Sequence, residues 1–337
     1  MKVLVTGGGG FLGKAIITQL LKEGHQIHTL NRSHYPDLQS LGVRCFQGNI
    51  SVIKDVERAA EGVDAIIHTA AKAGMWGDYD DFYQSNVIGT RNVIATCKKL
   101  GIPKLVYTSS PSVTFQGQDQ ESVDESVPYP SNFNAHYPAT KAIAEKEVIS
   151  SKDDSLSVVS LRPHLIWGPG DNHLAPRLIA KQKSKRLRFI GDVSSTIDAV
   201  YIENAAQAHV IALNKLSKDS IINGKNYFIS NHEPWPTETV INTILHSAGL
   251  DPVRKRLPLR LVMILATFLE YIYTFFKIKK EPPMTRFVAQ QLSTSHWFDN
   301  KAAREELGYI PKVSMVEGFE KLKQYYRLHG TKLSHGR

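Results

Sequence analysis

Lys2-Val3-Leu4-Val5-Thr6-Gly7-Gly8-Gly9-Gly10-Phe11-Leu12-Gly13 follows directly on Met1. Its first five residues predict a buried strand, because a short apolar run bounded by glycines suits a strand covered on both faces. Phe11, Leu12, Ala15, Ile16 and Leu20 then recur at helical spacing. Between strand and helix, Gly7, Gly10 and Gly13 form G-x-x-G-x-x-G. Such a turn needs positive φ, which glycine adopts cheaply. It also lets the N–H groups at the helix start, around Phe11 and Leu12, meet a pyrophosphate. Glycine-rich turns arise from packing alone as well. The strand before and the amphipathic helix after are the context that a dinucleotide site requires.

Outward from this turn, apolar runs and helical patterns alternate. Residues 26–30, 44–47, 65–69, 105–109 and 157–162 read as further strands, and 52–60, 81–100 and 137–150 as helices. Alternation of this kind predicts βαβ units and therefore an α/β fold with a parallel, doubly wound sheet. The pattern turns irregular near Gly168. Residues 1–168 are expected to form the dinucleotide-binding domain, with later segments returning to it, and 169–337 mainly a smaller substrate-binding region.

The chain has 337 residues, enough for about two domains. Hydrophobic residues make up 42% and charged residues 22%, which excludes disordered, collagen-like and polytopic membrane classes. Lys and Arg number 41 against 32 Asp and Glu, giving +9. This excess suits acidic small molecules or anionic lipid. Nucleic acid draws support from net charge alone and is not expected. Cys45 and Cys97 form no C-x-x-C pair, and the thirteen histidines show no metal-ligand spacing. No metal is expected. Met1-Lys2 leads straight into the first strand, which leaves no room for a signal peptide, so a reducing, cytoplasmic setting is expected.

The second strand runs into Asn31-Arg32-Ser33. A site that selects NAD usually has an acidic residue there to hold the ribose hydroxyls. None is present. Arg32 can pair with a 2′-phosphate instead, so NADP(H) is expected over NAD(H). Further on, Tyr137 and Lys141 stand four apart in a predicted helix and so share a face. A cationic Lys one turn away favours a phenolate and brings Tyr toward its working range. The spacing alone describes an ordinary surface pair equally well. Its position after a strand ending in Thr108-Ser109-Ser110 adds a hydroxyl at the cofactor crevice.

Together these features resemble the extended short-chain dehydrogenase/reductase family and its Rossmann-type fold. The resemblance is carried by the glycine turn, His68-Thr69-Ala70-Ala71, Asn86-Val87-Ile88-Gly89-Thr90, Thr108-Ser109-Ser110, Tyr137 to Lys141 and Leu161-Arg162-Pro163. Trp167-Gly168-Pro169-Gly170-Asp171, Tyr201-Ile202-Glu203-Asn204-Ala205-Ala206 and Leu307-Gly308-Tyr309 extend it along nearly the whole chain. It implies a Ser–Tyr–Lys catalytic set at Ser110, Tyr137 and Lys141, with Ser109 as the second candidate serine. It implies cofactor contacts at Gly7, Gly10, Phe11, Leu12, Gly13, Asn31, Arg32, Asn49, Ile50, His68, Ala70, Tyr137 and Lys141. At Asn49 the family usually carries an acidic residue toward adenine, and an amide can make that bond too. Within the family, Ala70 to Gly77, Tyr107 to Val113, Glu281 to Phe287 and Ser295 to Asp299 look like the 3β-hydroxysteroid dehydrogenase branch. They are similar to the bacterial 2-alkyl-3-oxoalkanoate reductases of olefin biosynthesis.

Residues 261–276 are almost wholly apolar, with Arg254, Lys255, Arg256 and Arg260 before them and Lys277, Lys279 and Lys280 after. The stretch is too short, and interrupted by Glu270, for a span of about 20 apolar residues. A helix near 259–277 is read first as buried in the core, and otherwise as lying on a membrane surface or walling an apolar substrate cavity, the last two being compatible. The expected substrate is apolar: a long-chain 2-alkyl-3-oxoalkanoate reduced to the 3-hydroxy acid, or else a 3β-hydroxysteroid or sterol carboxylate. A non-catalytic NADP(H)-binding protein is the remote alternative. A homodimer is expected by analogy, and peripheral membrane contact follows only from the second helix reading. Trp76 suits either a substrate mouth or a packing anchor, and His164 and His209 read as buried, satisfied histidines.

Overall fold

In the computed structural model, which describes residues 1–191 and 195–331, seven parallel strands form the central sheet. They are β1 (Lys2–Thr6), β2 (Gln26–Asn31), β3 (Arg44–Gln47), β4 (Ala65–His68), β5 (Lys104–Thr108), β6 (Ser157–Pro163) and β7 (Lys225–Ile229), in the order β7-β6-β5-β4-β1-β2-β3. Every neighbouring pair is parallel. Side chains alternate across the pleat. Val3 and Val5 pack with Ile16, Ile17 and Leu20 of α1 (Phe11–Lys22), while Leu4 packs on the other face with Val56 of α2 (Ile53–Ala60) and Val93 of α3 (Gly89–Leu100). Helix α4 (His136–Ser150) lies on the α3 side. The order reverses between β1 and β4. In open α/β sheets, ligands bind at such a switch point, beyond the strand C-termini.

The halves of the chain are interleaved. The chain leaves β6 for α5 (Leu174–Lys183), returns through α6 (Ile202–Lys215) and β7 to complete the central sheet, and leaves again for α7 (Thr237–Ser247). A second, four-stranded sheet takes Gln120–Val123 from the first half and Thr196–Ile197, Trp235–Pro236 and His296–Phe298 from the second. A separate core of Trp167, Ile179, Tyr201, Ile244, Met315 and Phe319 lies beneath α5, α7 and the last helices. Of residues 169–337, 192–194 and 332–337 lie outside the described residues.

Two expectations need correction. The helix read over 81–100 is three pieces: Tyr79–Phe82, a π-helical turn at Tyr83–Ile88, and α3. The apolar stretch forms α8 (Leu259–Phe275), followed by α9 (Arg286–Ser293) and α10 (Met315–His329). The buried-core reading of α8 fails: only Val262 and Ala266 along it are buried. Its buried apolar contact is a narrow strip in which Val262 packs with Ile190 and Ala289, with Leu259 and Met263 at the edge. Glu270 turns inward and accepts from the backbone N–H and Nε of Arg286 at 2.6 and 2.7 Å. Among the described residues, no helix is long and apolar enough to cross a membrane.

Candidate active site

A cleft of about 670 Å³ opens at the switch point. Its floor is the glycine turn. Gly7 sits at φ +71°, and a Cβ there would come within 2.9 Å of the Ala70 Cα. A Cβ on Gly13 would collide with the Gly7 carbonyl oxygen, so this glycine seats α1 against the turn. Gly10 would meet only that same oxygen, at 3.2 Å, and its other side is open to the cleft. No side chain caps α1. The first N–H groups of a helix have no partner within it, so this end suits a pyrophosphate.

Asn31 at the end of β2 fixes the turn. Its Oδ1 accepts the Gly9 N–H at 2.8 Å, and its Nδ2 donates to Thr29 Oγ1 at 3.0 Å. The exposed Arg32 follows on the cleft wall. Asn49 and Ile50 line the same end, and Asp55 holds the Asn49 N–H at 2.9 Å. This end fits an adenosine moiety, with an arginine and no carboxylate at the tip of β2.

The opposite end brings the three candidate catalytic side chains together. Ser110 leaves β5, while Tyr137 and Lys141 rise from the first turns of α4. All three line the cleft with Ser109 and Ala70. Burial raises the Tyr137 phenol, and a hydrogen bond from Ser110 partly offsets this. The Ser110 hydroxyl also lies 2.9 Å from that of Ser112. Burial pushes Lys141 down to about 7, with Glu145 opposing. Its ammonium donates to the Thr108 carbonyl at 2.6 Å and sits 4.1 Å from the centre of the Tyr107 ring. The net shift of Tyr137 is therefore upward rather than the expected lowering, because burial dominates.

Supporting contacts fix these positions. Thr108 Oγ1 lies 2.8 Å from His209 Nε2, and His209 Nδ1 lies 2.7 Å from the Ala205 carbonyl. His164 Nδ1 meets the Asp198 carbonyl at 2.9 Å. Both are buried, satisfied histidines, as read. Asn86, inside the π turn, accepts from the Lys72 N–H at 2.7 Å and donates to the Lys72 carbonyl and to Thr140 on α4. The irregular turn thus ties the cleft wall at 71–73 to the helix bearing Tyr137, and π turns often sit at functional sites.

Of the residues expected to bind cofactor, the structure brings all but His68 to the cleft. His68 is buried behind it, between Thr6 Oγ1 at 2.6 Å and Thr90 Oγ1 at 3.1 Å. Burial, reinforced by Lys141, holds its pKa near 3, so it stays neutral. The sequence reading missed Ser85, Tyr35 and Asp171 on the cleft lining. Tyr35 alone carried a signal, lying just beyond the second strand. Trp76 does not line the cleft: its indole N–H donates to the Ile278 carbonyl at 3.1 Å, and its ring meets Tyr273 of α8 edge-on.

The fold and this cleft define an oxidoreductase of the NAD(P)-binding, extended short-chain dehydrogenase/reductase class. Residues 4–259 match the model of the 3-beta hydroxysteroid dehydrogenase/isomerase family, and the chain belongs to that family. It is 47% identical to the 2-alkyl-3-oxoalkanoate reductase of Stenotrophomonas maltophilia, over 96% of this chain and 98% of that one. It is 32% identical to the human sterol-4-alpha-carboxylate 3-dehydrogenase, decarboxylating, over 96% and 87%. Among solved structures, gox2253 superposes with a TM-score of 0.79 at 25% identity, covering 98% of each chain. The NAD complex of UDP-glucuronic acid 4-epimerase from Bacillus cereus superposes with a TM-score of 0.76 at 22% identity, covering 98% of this chain and 100% of that one.

Proposed function

We propose that the protein is an NADPH-dependent ketone reductase that converts a 2-alkyl-3-oxoalkanoate to the 3-hydroxy acid. The observation that carries the chemistry is the convergence of Ser110, Tyr137 and Lys141 on the cleft whose floor is the glycine turn. The substrate rests on the similarity to a 2-alkyl-3-oxoalkanoate reductase over nearly the whole of both chains. In this reading the turn at Gly7–Gly13 and the start of α1 hold the pyrophosphate. Asn49 and Ile50 face the adenine, and Arg32 pairs with the 2′-phosphate. Bound NADPH supplies the hydride.

The chain's own residues handle the proton. Ser110 donates a hydrogen bond to the substrate carbonyl oxygen. Tyr137 gives that oxygen its proton as the C–O double bond becomes the alcohol, which balances the hydride arriving at carbon. The Tyr137 phenolate left behind is stabilised by Lys141 once its ammonium turns from Thr108. A phenol raised by burial keeps its proton at neutral pH, which suits the reductive direction.

The deciding assay follows NADPH oxidation with a long-chain 2-alkyl-3-oxo acid, beside NADP+ reduction with a 3β-hydroxysteroid. Turnover with the oxo acid is expected. Turnover with the steroid alone would move the protein to the sterol-type reading that the human relative represents. Tyr137→Phe is expected to lower turnover about 10²–10⁴-fold while NADPH still binds. Full turnover in that variant would remove Tyr137 from the chemistry.

A further inference from the structure

Helix α8 turns its apolar side away from the protein. Ile264 is 67% exposed, Phe268 61%, Tyr271 70% and Phe275 70%, and Leu261 and Leu265 extend the same face. Helical spacing stacks Leu261, Ile264, Phe268, Tyr271 and Phe275 in one row. The helix has one acidic residue, Glu270, and that carboxylate is turned inward to Arg286.

Cations bracket this face. Arg254, Lys255 and Arg260 precede or begin it, and Lys277, Lys279 and Lys280 follow it; all six are exposed. None of the six forms an ion pair among the described residues, whereas neighbouring Arg256 is paired with Glu238. On the entry side, Lys185, Arg188, Arg254 and Lys255 converge on a second cleft of about 240 Å³. The short parallel pair of Arg256–Leu257 with Phe189–Ile190 joins that cleft to the start of α8.

We infer that the outer face of α8 docks the enzyme on an anionic phospholipid bilayer. Apolar side chains along one face, with basic groups at both ends and no unpaired acid between them, suit insertion at the boundary of acyl chains and acidic headgroups. A second copy of this chain fits poorly. Parallel or antiparallel pairing through this face would set lysines and arginines against lysines and arginines. The docked helix also reaches the active-site cleft. Trp76 fastens the 71–78 loop to the end of α8, and Ala71, Lys72 and Ala73 of that loop line the cleft. Docking therefore sets the cleft wall beside the lipid surface, where a long-chain acyl substrate resides.

The test is co-flotation of the full chain with vesicles of phosphatidylcholine plus phosphatidylglycerol, against vesicles of phosphatidylcholine alone. Two variants accompany it: Phe268→Ser/Tyr271→Ser/Phe275→Ser, and Lys277→Glu/Lys279→Glu/Lys280→Glu. The wild type is expected to float with the anionic vesicles and to be released by salt. Each variant is expected to bind about tenfold or more weakly. Thermal midpoint and turnover of a soluble short-chain substrate should stay unchanged, so a folding defect or a failed activity assignment is seen separately. Absence of flotation by the wild type, or undiminished flotation by both variants, overturns the inference. So does a wild-type oligomer, seen by light scattering, that the serine variant dissociates, because the face would then join two copies.

Discussion

The proposed choice of NADPH rests on one exposed side chain, Arg32. Asn31, before it, is committed to Gly9 and Thr29, and no carboxylate stands at the tip of β2 to hold a ribose diol or repel a phosphate. A guanidinium opposite a 2′-phosphate makes a charge-assisted contact, while the same group opposite a hydroxyl makes an ordinary one. Arg32→Ala is therefore expected to weaken NADPH binding about 10–100-fold and NADH binding little, read as the ratio of KM values for the two cofactors. Equal losses would assign Arg32 to the adenine instead. The place of Arg32, Tyr137 and Lys141 on the cleft was legible in the sequence because each is set by a local pattern, a strand end or a helix face. The position of His68 was not. Its place beside the strand end matched the family motif, but only the packed structure shows its ring filled from both sides by Thr6 and Thr90.

Helix α4 delivers Tyr137 and Lys141, so its seating on the sheet controls the site. That seating depends on a buried ion pair. Arg162 of β6 donates through Nε and Nη2 to Glu145 of α4 at 2.9–3.2 Å, and both side chains are essentially inaccessible. Ser160 and Tyr129 donate to the same carboxylate at 2.7 and 2.9 Å. Removing one partner strands the other charge in a low-dielectric interior. Arg162→Met is expected to cost about 3–5 kcal/mol in denaturant unfolding, and Arg162→Met/Glu145→Leu to recover much of that loss. Equal destabilisation in the single and double variants would show that the charge pair is not the cause. At this scale β1, β4, β5 and β6 were readable because a doubly covered strand announces itself as an apolar run, whereas β2 and the edge strand β3 are more polar. The two-residue strands of the second sheet have no period to detect. Helix α8 left three readings open for a different reason: apolar content says that a face needs a partner, and cannot say where that partner lies.

Across the whole molecule, five histidines among the described residues lie in the interior, of which the sequence reading expected His164 and His209, and burial lowers the pKa of His28 among them. His68, His164, His209 and His296 are buried, and burial lowers their pKa values to about 3, 4, 4 and 3. Unfolded, each would titrate near 6.5. Between pH 6.5 and those lowered values the unfolded chain binds more protons than the folded one, so stability falls as pH falls. Each histidine contributes up to about 1.4 kcal/mol per pH unit in that window, and the four act together. Asp198, raised by burial to about 6, acts in the opposite sense: its protonation in the folded state begins at a higher pH than in the unfolded chain. It offsets one histidine at most. The urea midpoint is therefore expected to hold from pH 8 to about 7 and to drop steeply below about pH 6. His164→Gln keeps a side chain able to bond the Asp198 carbonyl and removes the titration, so it should make the drop shallower. A midpoint that stays level to pH 5 would mean that the four rings are reached by water or protonated without cost, and the interior described for them would be wrong.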